Sequence, residues 1–384
     1  MIDQFRNHVA VIFCLCVFLA ACGNNGSTAP APTMTPTPTP SPTPTPAASE
    51  LSMFAGTGPA GVPIPGPAIA STLNDPFGVA TDSTGNVYIA DLNNNVVEKI
   101  TLDGVLSIFA GIVGSGGTPV VGPATHSPLN NPTAVATDGL GNVYIVDYNN
   151  NVIELVNSAG NLSIFAGNGK SGTPTAGAAT SSSFSFPMGI AVDNLGNVYV
   201  ADTSNYLIEK ITPSGNLNVF AGNGTQGMPI PGPALSSPLS FPSGVATDNL
   251  GNVYVADYNN NLIEKIDSSG NLSVFAGNGL PGTPAPGVAT LSPLYGPLSL
   301  AADGAGNVYI ADVGNALVEE VSANGILTVF AGNGTSGVPV AGLASASPLS
   351  GPVAVAVDTL GHVYIANSDN SGINMVVKTT PVQH

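Results

Sequence analysis

The chain has no tryptophan, three cysteines, four histidines, and six lysines and arginines together among its 384 residues. Each shortage removes a class of chemistry. Six basic residues cannot build the clustered cationic surface that a phosphate backbone requires, so no nucleic acid is expected as partner. Cys14 and Cys16 fall in the apolar segment near the amino terminus, which leaves Cys22 as the one thiol beyond it. A disulfide framework, a cysteine metal site and thiol catalysis are therefore excluded, and the domain must be held by packing alone. Beyond residue 8 the histidines are His126, His362 and His384, in a loop, a tight turn and the last residue. They are too scattered to converge on one centre, so no catalytic residue, metal ligand or cofactor is expected. Long apolar runs are also missing. The one candidate, Val9–Phe18, is shorter than the stretch needed to cross ~30 Å of hydrocarbon.

What the chain has is a repeated heptapeptide. Gly85–Asp91 reads G-N-V-Y-I-A-D and returns at Gly141, Gly196, Gly251 and Gly306, then altered at Gly361–Asn367, in steps of 56, 55, 55, 55 and 55 residues. Around each copy lie short runs rich in Val, Ile, Tyr and Phe, bounded by Gly, Asn and Asp, which read as strands joined by hairpins. In the first repeat these are 77–82, 85–91, 96–100 and 106–111. Four strands repeated six times predict an all-β fold, a six-bladed β-propeller of four-stranded antiparallel blades. Leu51–Gly56 precedes every other strand, and the last repeat lacks its fourth. The amino-terminal strand is thus expected to pair with the last blade and close the ring, leaving no open edge.

The acidity has the same origin. The formal net charge is −17, with 23 acidic residues. Asp82, Asp138, Asp193, Asp248, Asp303 and Asp358 end first strands, and Asp91, Asp147, Asp202, Asp257 and Asp312 end second strands. Glu98, Glu154, Glu209, Glu264 and Glu319 recur in third strands. Most of the negative charge therefore belongs to the repeat, where Asp can cap turn amides.

The unit P-x-G-V-A-x-D-x-x-G-N-V-Y-I-A-D-x-x-N-N-x-I-E-K-I resembles the NHL repeat over about residues 51–380. The absence of a Trp-Asp dipeptide sets it apart from WD40 repeats, and the absence of paired glycines from kelch repeats. The repeat is longer than the ~40–45 residues of a WD40 blade, and its extra length falls in loops of about 20 residues between blades. Asn223–Pro242 is typical. Each loop carries a late apolar residue, Leu73, Leu129, Phe184, Leu239, Leu294 or Leu349, expected to plug the loop onto its own blade. Where NHL relatives carry G-D-G-G-x-A, this chain has P-x-x-G-x-A, without the carboxylate.

Three regions follow. Residues 1–22 read as a lipoprotein signal whose Leu19-Ala20-Ala21-Cys22 matches a lipobox, implying lipidation of Cys22. Residues 23–48 are a Thr/Pro-rich stalk that cannot bury a core. Residues 49–384 form the propeller. The expected setting is a bacterial cell envelope, exported and lipid-anchored, with Gly23 leaning toward the outer membrane by resemblance to known sorting. The protein is expected to be a monomer.

Alternating strand direction puts the long loops and the second-to-third turns on one face. That face is uncharged and rich in Asn, Gly, Pro and Thr. Its candidate ligand-binding residues are Tyr148, Asn149, Asn150, Tyr206, Tyr258, Asn259 and Asn260. Tyr offers contact area at low entropic cost, and Asn offers both donors and acceptors. The expected role is a non-enzymatic binding or scaffold module for a protein or polysaccharide. Six-bladed propellers also include lactonases and lyases with a metal near the axis, which makes a metal-dependent enzyme in the central channel the competing reading.

Overall fold

The structure is a computed structural model that describes residues 49–368 and 374–381. The signal segment 1–22 with Cys22, the stalk 23–48 and His384 lie outside the described residues. The chain forms six antiparallel sheets. In the first, Pro76–Thr81, Val87–Asp91, Val96–Ile100 and Val105–Gly111 run outward in order. The six innermost strands touch in a closed cycle, from Pro76–Thr81 through each successor to Pro352–Val357, which touches Pro76–Thr81 again. The molecule is a β-propeller.

The V-Y-I-A-D strand is buried along its whole length because both of its faces are covered. Val87 and Ile89 lie in one core cluster, while Tyr88 and Ala90 lie in the next with Val135, Val143 and Ile145 of the second sheet. Alternation with period two hands successive side chains to opposite neighbours. Each sheet also holds one edge-to-face aromatic pair. The third and fourth strands slip by one residue, as between Val97 and Glu98, so that Phe109 bulges out of register and meets Tyr88 at 5.0 Å. The same pair recurs as Phe54 with Tyr364 and Tyr254 with Phe275, each at 4.9 Å.

Ring closure follows the expected route. Ser49–Gly58 pairs antiparallel with Asn374–Pro381 and completes the sixth sheet. The expected four-stranded blade is corrected, since every sheet has five strands. The fifth comes from the long loop. Gly66–Pro67 adds to Val105–Gly111, and Gly232–Pro233 to Asn271–Ala276. A two-residue strand carrying Pro leaves a poor template for pairing with another chain. The chain then makes one 3-10 turn, buries its plug, and runs inward to the innermost strand. Leu73, Leu129, Phe184, Leu239, Leu294 and Leu349 are all fully buried. Each contributes about 1.5–3 kcal/mol by leaving water. A buried serine orders each loop further, as where the Ile230 N–H donates to Ser237 Oγ at 2.9 Å.

Candidate functional site

The mouth of the ring on the loop face is built from the residue that precedes each innermost strand. Asp75, Asn131, Phe186, Phe241, Gly296 and Gly351 occupy it, one per sheet, all with φ between 54° and 70°. The chain arrives along the loop and must reverse into the strand, and the left-handed region makes that corner. Glycine and asparagine adopt it readily, whereas a bulky phenylalanine there is an outlier. Two of the six are phenylalanines, both half-buried. Strain kept at a surface position is a pointer to function.

The second-to-third turns meet this ring from outside. Each of the first five turns ends in a left-handed residue, Asn95, Asn151, Tyr206, Asn261 or Ala316. Where it is asparagine, its Oδ1 accepts the N–H of the next sheet's mouth residue at 2.9 Å, in Asn95 to Asn131, Asn151 to Phe186 and Asn261 to Gly296. Tyr206 has no such acceptor. Its ring packs edge-on against Phe241 at 5.6 Å instead. Tyr258 lies against Gly296, where a Cβ would meet Tyr258 Cε2 at 3.0 Å. Burial first, then the neighbouring Tyr295 and Asp312, pushes the Tyr258 hydroxyl up to about 12, so it remains a neutral donor.

The seven residues singled out from sequence divide into three groups. Tyr206 and Tyr258 reach the mouth and remain partly accessible, and Asn149 and Asn259 are exposed. Tyr148 is only 3% exposed and packs beneath Phe186 at 5.2 Å, so it supports the surface from below. Asn150 and Asn260 are braces. Asn150 Nδ2 donates to Gly117 O and to Asp147 Oδ2, and Asn260 Nδ2 donates to Gly227 O at 2.8 Å and Asp257 Oδ2 at 2.7 Å. Asn149 Nδ2 donates to Asn130 Oδ1 and Asn131 Oδ1. Sequence reasoning missed Phe186 and Phe241. The signal was the dipeptide Phe-Pro at 186–187 and 241–242, where other repeats read Asp-Pro, Asn-Pro or Gly-Pro.

Below the mouth lies a central cavity of ≈ 80 Å³, lined by three consecutive residues from each innermost strand. Phe77, Thr133, Met188, Ser243, Leu298 and Val353 form its upper tier, and no acidic, basic or histidine side chain lines it. Two of its hydroxyls, those of Thr133 and Ser243, are spent on neighbouring backbone. Thr133 Oγ1 donates to Met188 O at 3.1 Å and Ser243 Oγ to Leu298 O at 2.8 Å, each tying one sheet to the next. Asp75, the one carboxylate of the mouth ring, is buried at the seam. It accepts from Ser368 Oγ of the last sheet and from Asn93 Nδ2. His362 stands in a tight turn of the opposite face, where its Nδ1 meets Asp358 Oδ2 at 2.8 Å, the bond that Asn252 Nδ2 makes to Asp248 in the fourth sheet. Among the described residues, no three His, Cys, Asp or Glu side chains gather as a metal site.

Comparison with known proteins agrees with this architecture. Residues 184–211 match the NHL repeat. Residues 205–383 match the teneurin NHL domain. The chain is 27% identical over 288 residues to human teneurin-1, covering 67% of this chain and 10% of that protein. It is 28% identical over 211 residues to the chloroplastic protein SUPPRESSOR OF QUENCHING 1 of Arabidopsis thaliana, covering 51% and 19% respectively. The chain thus spans a fifth or less of either relative. Among solved structures it is similar to an auxiliary nutrient binding protein from Bacteroides ovatus, with TM-score 0.63 and 15% identity over 88% of this chain and 78% of the other. It is also similar to streptogramin B lyase, with TM-score 0.52 and 13% identity over 87% and 98%. At such identities the likeness is one of fold.

Proposed function

We propose that this chain is an exported bacterial lipoprotein, anchored through Cys22 and carried on a Thr/Pro stalk, whose six-bladed NHL-type propeller is a non-enzymatic binding module. The site is the aromatic arc of the third and fourth sheets, Phe186, Tyr206, Phe241 and Tyr258, with Asn149 and Asn259 at its margin. One observation carries the reading: two phenylalanines and a tyrosine are kept in left-handed backbone at a surface where glycine would relieve the strain. Flat rings with amide and phenol groups at the edge, and no exposed charge among them, suit an uncharged polysaccharide. A protein loop is the other ligand such a face can take. The lyase-like or lactonase-like reading needs titratable groups converging on the channel, and the channel lining offers none.

The test is retention of the full chain on a panel of neutral polysaccharides by affinity electrophoresis, beside Tyr206→Ala and Tyr258→Ala. Retention that falls at least tenfold in the variants, with melting temperature unchanged, is the expected result. That ratio corresponds to about 1.4 kcal/mol of binding energy. Wild-type retention that neither variant alters would remove the arc from the mechanism, and retention on no glycan would turn the search to protein partners. The anchor is checked separately: Cys22→Ser should move the protein from the membrane to the soluble fraction, and unchanged membrane association would refute lipidation.

A further inference from the structure

Ten carboxyl groups are buried where the binding face makes no use of them. In each of the first five sheets the aspartate ending the second strand and the glutamate of the third strand share one side of the sheet. Glu98 stands opposite Ile89, two residues before Asp91, so the two carboxyls are diagonal neighbours. The same register holds for Glu264 with Val255 and Asp257. All ten side chains are fully buried. The aspartates are well supplied with donors. Asp257 Oδ1 accepts from Ser240 N at 2.9 Å and its Oδ2 from Asn260, and the other four repeat the arrangement. The glutamates are not. Both oxygens of Glu98, Glu154, Glu209, Glu264 and Glu319 have no hydrogen-bond partner. Two ionised carboxylates side by side in an apolar interface would each lose water and repel the other. One proton on the glutamate ends the repulsion and its own desolvation cost, because a neutral glutamic acid gains an O–H donor that the aspartate, already held by N–H donors, can accept.

The chain contains its own control. In the sixth sheet Asn367 stands at the aspartate position, and Val377, opposite Ile365, at that of the glutamate. Asn367 still receives the Ser350 N–H on its Oδ1. Both carboxyls are absent together, as expected of groups that are tolerated only as a pair.

We propose that each of the five Asp–Glu pairs binds one proton at neutral pH, held in a Glu O–H···Asp hydrogen bond, so that the propeller carries five internal proton sites whose emptying loosens the packing of sheet on sheet. Burial pushes the aspartates up to about 6 for Asp91 and Asp147 and about 7 for Asp202, Asp257 and Asp312. Burial first, then the adjacent aspartate, raises every glutamate well above the ordinary range. The groups turned toward each pair from the preceding sheet are tyrosines with lysines beside them. Tyr88 and Lys99 face the second pair, Tyr144 the third, Tyr199 and Lys210 the fourth, Tyr254 and Lys265 the fifth, and Tyr364 the first, with Lys378 across from it in register. Tyr258 and Tyr295 lie beside Asp312. The tyrosine hydroxyls are held at the far end of the strand, as Tyr254 is by Asp248 at 3.1 Å, and the lysines Lys99, Lys210 and Lys265 sit over tyrosine rings at 5.2–5.5 Å. Among the described side chains, none donates to a glutamate oxygen.

A raised native pKa means that the folded state holds protons the unfolded chain has given up. Stability is then fullest below the ordinary carboxyl range and falls as pH rises through the native values. The formal net charge of −17 is reduced by five, to about −12. The experiment is to unfold the full chain at pH 7 in weakly buffered denaturant and measure the protons released. About five are expected for the wild type and one fewer for Glu264→Gln. A neutral carboxylic C=O band in the infrared spectrum of the folded chain should weaken in that variant. Absence of both the release and the band in the wild type would overturn the proposal. So would a chelator-sensitive melting temperature, which would put a cation in the proton's place. Should Glu264→Gln fail to fold, the wild-type proton count and band decide alone.

Discussion

At the scale of single residues, the fold is limited by how closely neighbouring innermost strands approach the axis. A Cβ on Gly78 would lie 2.6 Å from Thr133 O, one on Gly244 2.8 Å from Leu298 O, and one on Gly189 closer still to Ser243 O. These atoms are backbone and cannot rotate away. Gly189→Ala is therefore expected to cost about 1–3 kcal/mol, seen as a lower urea midpoint at unchanged slope. A midpoint equal to wild type would show that the strands can part without loss. The asparagine brace acts at the same scale. Asn150 and Asn260 looked like ligand groups because amides at turns can serve either purpose, and only their distances to loop carbonyls and buried carboxylates assign them to structure.

At the scale of elements, the long loop is the unusual part. Its added length makes a fifth strand, a 3-10 turn and a plug, so it belongs to the sheet that follows it more than to a ligand. Leu239→Ala is expected to cost about 2–5 kcal/mol by opening a cavity between sheets, measurable by chemical denaturation. If the cost were below 1 kcal/mol, the loop would be resting on its blade without being part of its core. The plug positions were legible in the sequence because they recur at a fixed place in the repeat. The fifth strand was not, since Gly66–Pro67 is two residues long and has no alternation to read.

At the scale of the whole molecule, two sets of carboxyl groups pull stability in opposite directions with pH. The hairpin aspartates Asp82, Asp248 and Asp358 are lowered despite partial burial, because turn amides, asparagine and His362 hydrogen-bond the charged form. Their contribution is lost as pH falls below the ordinary carboxyl range. The Asp–Glu pairs lose theirs as pH rises above it. The melting temperature should therefore peak in mildly acid solution, at about pH 4–6, and decline toward neutrality and beyond. A flat profile from pH 5 to 9 would contradict the shared protons. Closure matters at this scale too: Ser368 and Asp75 join last sheet to first at the same seam where Ser49–Gly58 completes the ring.

The sequence alone determined the repeat, the strand order within it, the closure by the first strand and the loop-rich face, because period, turn residues and alternation are local properties written once per repeat. Only the tertiary structure decided which side chains of that face are free to meet a ligand. Tyr148 and Tyr258 open their turns alike and Tyr206 ends its own, yet one lies under Phe186, one covers Gly296 and one packs on Phe241, according to what the next sheet presents. The pairing of Asp with Glu was hidden for the same reason. The two stand seven residues apart on different strands, and their meeting, like their burial, is a property of the assembled sheets.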